Sequence, residues 1–436
     1  MPRKDAWDGR FVQLGNGGFA GRVWEKSVLG VLARGSAAAG TDDGHASTDV
    51  TDASWALGHP EKVIDFGYRA LKETTEAARA VLRAYMGSAP ARSYFVGCSD
   101  GGREALMEAQ RYPEDFDGIV AGAPANDWTR QFVGAVWDQQ ALRGRPGHYL
   151  SASKLRALQD AARKACAADD GIIDDPLSCH FNPVALRCKG HEKDDCLTDA
   201  QLETVRALYA GPKNPRTGEA LMPGLEPGYE AEPASWPEWI TGTSADDPKP
   251  KMLDFGRNFF SYVVFGDPAY DIFHLNFDSD VSTSIEKVGA VIDANDADLG
   301  PFKRHGGKLI QFHGWADPAL PPRGSIRYYE SVHAKMGDTS DFYRLFMVPG
   351  MLHCRGGLGP DDPHATEAIV SWVEQAKAPD RLIATKVVQG DGAQAPRSRP
   401  LCPYPQVARW DGKSDRTRAE SYSCAPSASI TSPTKK

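Results

Sequence analysis

Gly97-Cys98-Ser99-Asp100-Gly101 is a stretch whose residue types and spacing could do chemistry. It has the form G-x-S-x-G, follows the apolar run Tyr94-Phe95-Val96, and precedes a helix-compatible segment over residues 101–111. In that setting a sharp strand-to-helix turn lifts a serine hydroxyl above a sheet. The flanking glycines permit the tight backbone, and the helix N-terminus behind it favours developing negative charge. The pentapeptide alone fits an ordinary turn; its context makes Ser99 a candidate nucleophile.

A serine nucleophile needs a base, and the base an orienting acid. Asp317 lies in His313-Gly314-Trp315-Ala316-Asp317-Pro318, after the apolar run Leu309-Ile310-Gln311-Phe312. His353 lies in Pro349-Gly350-Met351-Leu352-His353-Cys354, after Leu345-Phe346-Met347-Val348. The order Ser, Asp, His, with each residue in a loop after a strand, is the order this chemistry uses on a parallel sheet. Of the eleven histidines, His353 alone combines a late post-strand loop with a matching upstream Asp. Cysteine marks the same residues, since Cys98 precedes Ser99 and Cys354 follows His353. If Ser99 and His353 are hydrogen-bonded, their neighbours come within disulfide reach, and a Cys98–Cys354 bridge would preorganise the pair. A Cys/His enzyme is the rival, weakened because Ser99 rather than Cys98 occupies the apex of the turn.

The run Gly15-Asn16-Gly17-Gly18-Phe19-Ala20-Gly21 has two readings. A glycine-rich turn after a strand can cradle a pyrophosphate, but the spacing is irregular and no ribose-binding acid is clearly placed downstream. The preferred reading is an oxyanion loop, with Gly17 or Gly18 giving one N–H and Asp100, the residue after the nucleophile, the other.

The elements that must position these groups alternate. Residues 11–14, 36–39, 92–98, 118–121, 308–312 and 343–348 read as strands; residues 60–86, 101–111, 323–336 and 363–375 read as helices. Such alternation predicts an α/β fold with a parallel sheet. Between them the pattern changes: residues 125–297 hold four of the eight cysteines, with helices expected at 127–142, 153–166 and 198–209 and little strand alternation. This reads as an inserted lid with a small core of its own, residues 1–124 and 298–436 forming the catalytic core. The tail over residues 426–436 is polar and expected to fray.

Composition bounds the partners. Hydrophobic content of 41% with 25% charged residues excludes wholesale disorder. The net charge of −8, with no long basic run, argues against a nucleic-acid partner. Apolar stretches such as Phe259–Phe265 fall far short of the roughly 20 residues a membrane helix needs. The eight cysteines include no CxxC pair, and three compact pairs, 166/179, 188/196 and 402/424, look like part of a disulfide framework, with connectivity open. Disulfides imply a secreted or periplasmic origin, although no signal-peptide-like stretch opens this sequence.

These residues resemble the tannase and feruloyl esterase family of α/β-hydrolases, which includes the mono(2-hydroxyethyl) terephthalate hydrolases. The resemblance runs through Ala6-Trp7-Asp8-Gly9-Arg10-Phe11, His59-Pro60-Glu61-Lys62-Val63-Ile64-Asp65-Phe66-Gly67-Tyr68, Gly118-Ile119-Val120-Ala121-Gly122-Ala123-Pro124-Ala125 and Pro400-Leu401-Cys402-Pro403-Tyr404-Pro405. It implies an α/β-hydrolase core with a disulfide-pinned lid, Ser99, Asp317 and His353 as triad, and bridges 98–354, 166–179, 188–196 and 402–424. It also implies a serine carboxylesterase acting on small aromatic-acid esters, feruloyl esters first, with gallate esters or terephthalate monoesters as alternatives. A catalytically inactive binding protein is the alternative from another class. No cofactor is expected for catalysis.

The family pattern places a structural Ca²⁺ between the cysteines matching Cys166 and Cys179. Here Asp170 and the Ile172 carbonyl match, while two upstream Asp positions are missing. In the lid, Arg257, Phe259, Phe260 and Trp236 are candidates for substrate contact, and Arg257 is the natural partner of a substrate carboxylate. His313, four residues before Asp317, is a further candidate.

Overall fold

The computed structural model describes residues 1–245, 249–386 and 397–427. Six strands form one sheet: β1 (Arg10–Leu14), β2 (Ala37–Gly40), β3 (Arg92–Cys98), β4 (Gly118–Gly122), β5 (Lys308–Gly314) and β6 (Tyr343–Val348). Their spatial order is β2-β1-β3-β4-β5-β6, and every pairing is parallel.

Successive residues point to opposite faces of a strand, so a sheet covered on both sides must be apolar at neighbouring positions. Phe11, Phe95, Ile119 and Leu309 meet one layer, including Leu106 of helix Asp100–Arg111 and Val332 of helix Arg323–Met336. Val12, Tyr94, Val120 and Ile310 meet the other, with Ile369 and Trp372 of helix Ala365–Gln375. The strands and helices expected from the sequence are present to within two residues at their ends.

One expected helix is interrupted. Residues 60–86 run as α-helix Pro60–Ile64, a π-helical turn Asp65–Arg69 and α-helix Ala70–Met86. The π turn frees the Phe66 and Gly67 carbonyls, which accept from the Arg103 guanidinium at 2.9 and 2.8 Å.

The segment between β4 and β5 contains no β-strand among the described residues. Its helices Trp128–Arg143 and Lys251–Asn258 pack on Phe19 and Phe66 of the core through Trp128, Phe132 and Phe255. Leu155, Leu158, Leu202, Val205 and Trp236 build a second, separate core. The segment therefore has more apolar support than the small core expected from its loop-rich sequence.

The C-terminal region adds two antiparallel pairs that periodicity did not reveal, β7 (Leu382–Thr385) with β8 (Ser398–Leu401) and β9 (Gln406–Trp410) with β10 (Tyr422–Pro426). Pro426, expected to begin the frayed tail, closes β10, and Ser427 Oγ donates to Asp175 at 2.8 Å. Residues 428–436 of that tail lie outside the described residues. Four disulfides join Cys98–Cys354, Cys166–Cys179, Cys188–Cys196 and Cys402–Cys424, and no cysteine is free.

Candidate active site

Ser99 sits between β3 and helix Asp100–Arg111 with φ 67° and ψ −122°. That left-handed backbone is costly for a residue with a Cβ and is held by its surroundings. A Cβ on Gly97 would lie 2.2 Å from the Gly101 carbonyl oxygen, and one on Gly101 2.8 Å from the Asn16 carbonyl oxygen. Glycine at both positions lets strand, helix and glycine-rich loop close on one another.

His353 Nε2 lies 2.9 Å from Ser99 Oγ. On its other side His353 Nδ1–H donates to Asp317 Oδ2 at 2.8 Å, the tautomer that leaves Nε2 free to accept from the hydroxyl. Asp317 is buried, and its Oδ1 accepts the Ala319 and Leu320 N–H groups at 2.8 and 3.0 Å. Burial opposes its charge, but His353 and His313 outweigh that and hold the carboxyl well below the usual carboxylate range. Cys98 and Cys354, with Cα atoms 6.0 Å apart, tie the nucleophile strand to the histidine loop across 256 positions.

The glycine-rich loop lines the same cavity as Ser99 and His353. Gly17 N–H is engaged by Asn16 Oδ1 at 3.1 Å, whereas Gly18 and Asp100 N–H have no partner among the described residues. Gly18 is thus the freer donor. Asn16, missed in the sequence, organises the loop: its N–H donates to Glu104 Oε2 at 2.7 Å and its carbonyl accepts Gly101 N–H at 3.0 Å. Its side chain accepts from Trp24 Nε1 and donates to the Thr41 carbonyl, both at 2.8 Å. A polar residue inside a glycine run was the available signal.

Ser99 and His353 open on a cavity of about 750 Å³, within the range of small-molecule sites. Trp128, Phe132, Met252 and Phe255 supply apolar wall, and Trp239 lies edge-on to the His353 ring at 5.0 Å. Lys251 also lines it, its ammonium 4.4 Å over Trp239 and paired with Glu238.

The substrate residues expected in the lid are elsewhere. Arg257 is exposed and pairs at 3.2 Å with Asp254, one helical turn away. Phe259 is fully buried, its ring 5.0 Å from Phe132 and 5.2 Å from Phe260, and it lies behind the cavity wall. Phe260 and Trp236 are core residues as well. His313 lies beneath the site, buried between Ser325 Oγ at 2.7 Å, Asp317 Oδ2 at 3.2 Å and the Leu320 carbonyl at 3.1 Å. Trp239 and Lys251 line the cavity and were not singled out in the sequence; neither belongs to a periodic pattern that marks a wall.

The 166–179 loop does not fit calcium. Asp170 Oδ1 accepts Ile172 N–H at 3.1 Å and Oδ2 accepts the Arg399 guanidinium at 2.6 Å. Arg399 also holds Asp174, and the Ile172 carbonyl accepts Ala168 N–H at 3.0 Å. Calcium takes about six to eight oxygens, and here a buried guanidinium engages the loop's acids.

The fold is a parallel α/β sheet that brings Ser99, His353 and Asp317 into one hydrogen-bonded row. The sequence model of the family described as tannase and feruloyl esterase matches residues 1–425, and the chain belongs to that family. An uncharacterized esterase of Xanthomonas campestris pv. campestris is 42% identical, over 97% of this chain and 80% of that protein. The mono(2-hydroxyethyl) terephthalate hydrolase of Piscinibacter sakaiensis is 32% identical, over 96% and 80%. The crystal structure of feruloyl esterase B from Aspergillus oryzae superposes with a TM-score of 0.86 at 27% identity, covering 96% of this chain and 86% of that one. The protein is accordingly a carboxylic ester hydrolase.

Proposed function

We propose that Ser99, His353 and Asp317 are the catalytic triad of an esterase cleaving small esters of aromatic acids, with feruloyl (hydroxycinnamoyl) esters as the preferred class. The observation that carries this reading is the 2.9 Å contact of His353 Nε2 with Ser99 Oγ at the mouth of an aromatic-walled cavity.

In the first half-reaction His353 Nε2 takes the Ser99 proton as Oγ bonds to the ester carbonyl carbon. Charge on the carbonyl oxygen is met by the Gly18 and Asp100 N–H groups, and Asp317 stabilises the imidazolium. Collapse breaks the bond to the alcohol, which leaves with the proton from His353. Water then gives a proton to His353 and its oxygen to the acyl carbon, and the acid departs as Ser99 regains its proton.

The apolar walls suit an aromatic ring. A substrate with a free carboxylate would need a cation, and Arg34, Lys251 and Arg355 all line the cavity, Lys251 paired with Glu238 and Arg355 4.0 Å from Asp362. Four disulfides support action in an oxidising, extracytoplasmic compartment.

The test is chromatographic comparison of acid released from methyl ferulate, methyl gallate and mono(2-hydroxyethyl) terephthalate, with Ser99→Ala as control. Ferulate should dominate. A preference for gallate or terephthalate would overturn the acyl assignment, and turnover undiminished in Ser99→Ala would overturn the triad.

A further inference from the structure

Beneath the turn that carries Ser99 lies a group of charges without contact to solvent. Asp43, Asp100, Arg103 and Glu104 all have 0% exposure. The three acids come from two places in the chain: Asp43 from the loop after β2, Asp100 and Glu104 from the helix behind the nucleophile. One oxygen of each lies within 4.8 Å of the others.

Arg103 Nε donates to Asp100 Oδ1 at 2.6 Å and its terminal nitrogens reach the Phe66 and Gly67 carbonyls; burial still pushes the Asp100 carboxyl up to about 7 against the pull of the guanidinium. Among the described residues no second cation lies against Asp43 and Glu104. Both Asp43 oxygens, Asp100 Oδ2 and Glu104 Oε1 lack a donor among the described residues, while Glu104 Oε2 accepts the Asn16 N–H. Two adjacent buried carboxylates cannot both stay ionised without a compensating charge. A proton on one supplies the missing charge and the missing hydrogen bond together. Burial first, and then Glu104, push the Asp43 carboxyl well above its ordinary range, against the pull of Arg103. Glu108, also buried and one turn further along the same helix, has its carboxyl pushed up too, by burial first and then by Asp115 and Glu104, against the pull of Lys72 and Arg79.

The Glu104 contact matters because of what it grips. Asn16 is held by the nucleophile helix at both ends of its peptide backbone, through Glu104 Oε2 and Gly101 N–H. Asn16 also donates to Thr41, two residues before Asp43. The glycine-rich loop, the nucleophile helix and the loop after β2 therefore meet at this acid pair.

We propose that Glu104 is a positioning residue of the esterase site, and that one proton shared between Asp43 and Glu104 locks the oxyanion loop onto the nucleophile helix. With the proton present, Glu104 accepts from Asn16 on one oxygen and from Asp43 on the other. Loss of the proton leaves two adjacent negative charges in the interior, and the cheapest relief is separation of the loops. Gly18 then moves relative to Ser99 and Asp100, which weakens transition-state stabilisation while the aromatic walls that bind the ring stay in place.

This rests on the esterase reading above, so wild type and Ser99→Ala are assayed first; turnover that depends on Ser99 secures that reading whatever follows. Steady-state kinetics across pH are then compared for wild type, Glu104→Ala, Glu104→Gln and Asp43→Asn, with uncatalysed hydrolysis subtracted. Glu104→Ala should lower kcat by roughly 10²-fold, the scale of a lost oxyanion donor, with KM within about threefold. Glu104→Gln, whose amide oxygen can accept the Asn16 N–H, should recover most of that loss. Asp43→Asn supplies a permanent N–H to Glu104 and should carry the alkaline limit of kcat upward by about one pH unit or more.

An unchanged alkaline limit in Asp43→Asn would overturn the shared proton. Wild-type kcat in Glu104→Ala would overturn the positioning role, and so would a KM that rises with the fall in kcat and is not rescued by Gln. Should Glu104→Ala fail to fold, the Asp43→Asn profile decides. Thermal stabilisation of wild type by Ca²⁺ or Mg²⁺, absent in Asp43→Asn, would also contradict the proposal, because a cation would then balance the acids.

Discussion

Around Ser99, position is set by backbone meeting backbone: β3 turns into its helix against the Asn16 carbonyl, and Cys98–Cys354 ties that turn to the histidine loop. Above it, Phe132, Phe255 and Trp239 shape the cavity with side chains from a segment whose α-helices give way to π-helical stretches at Pro237–Thr241 and Phe259–Phe265. A backbone-defined site constrains residue type at fixed spacing, whereas a side-chain wall can be rebuilt by any residues of suitable size. The same contrast separates chemistry from substrate choice.

Substitutions sharpen that contrast. The largest loss is expected from Asp317→Asn, which keeps the shape but favours the wrong His353 tautomer: kcat should fall by roughly 10³- to 10⁴-fold with KM little changed. Stopped or steady-state assay on the released acid measures it.

Replacing both members of a disulfide compares the two regions directly. In the chain-entropy model the bridge spanning 256 positions contributes about 5.5 kcal/mol and the lid bridge spanning 8 contributes about 2.5 kcal/mol. Cys98→Ser/Cys354→Ser should therefore lower the unfolding midpoint more than Cys188→Ser/Cys196→Ser, and only the former should reduce kcat. Equal effects of both on kcat would break the comparison.

Trp239→Ala removes wall and should raise KM by several-fold with a smaller change in kcat, roughly 1–2 kcal/mol of lost contact. Arg257→Ala, by contrast, should leave both constants unchanged.

A separate effect, on stability rather than catalysis, concerns the lid stem, where Asp293 accepts the Thr129 N–H at 2.9 Å and hydroxyl at 2.8 Å. Burial, aided by Asp127, pushes its carboxyl up to about 7 against those hydrogen bonds. The unfolded chain releases this proton at about pH 4, so the folded state holds the extra proton between those values and stability falls as pH rises through that window. Asp293→Asn should flatten this part of the stability–pH curve, measured by denaturant unfolding.

What was legible in the sequence follows the same division. Ser99, Asp317 and His353 could be found because each sits in a short loop whose preceding strand is continuously apolar, a local pattern. Residues 92–98 and 323–336 were legible because each carries buried apolar side chains at the spacing of its element, Tyr94 and Phe95 in the strand and Tyr328 and Val332 on one face of the helix. β7 to β10 escaped because they are four or five residues long and interrupted by Pro400 or exposed charge. Asp43, Glu104 and Asn16 escaped because their meaning arises from three segments brought together. Arg257 misled because a lone arginine near aromatic residues reads as a ligand, while the helix turns it outward beside Asp254.

The central claim is that Ser99 is the nucleophile activated by His353. Treating the protein with a serine-directed fluorophosphonate and mapping the adduct by peptide mass spectrometry tests it most directly. The adduct should fall on Ser99 alone, form slowly in His353→Ala and be absent in Ser99→Ala. No adduct, or one on another residue that forms as fast in His353→Ala, would contradict it.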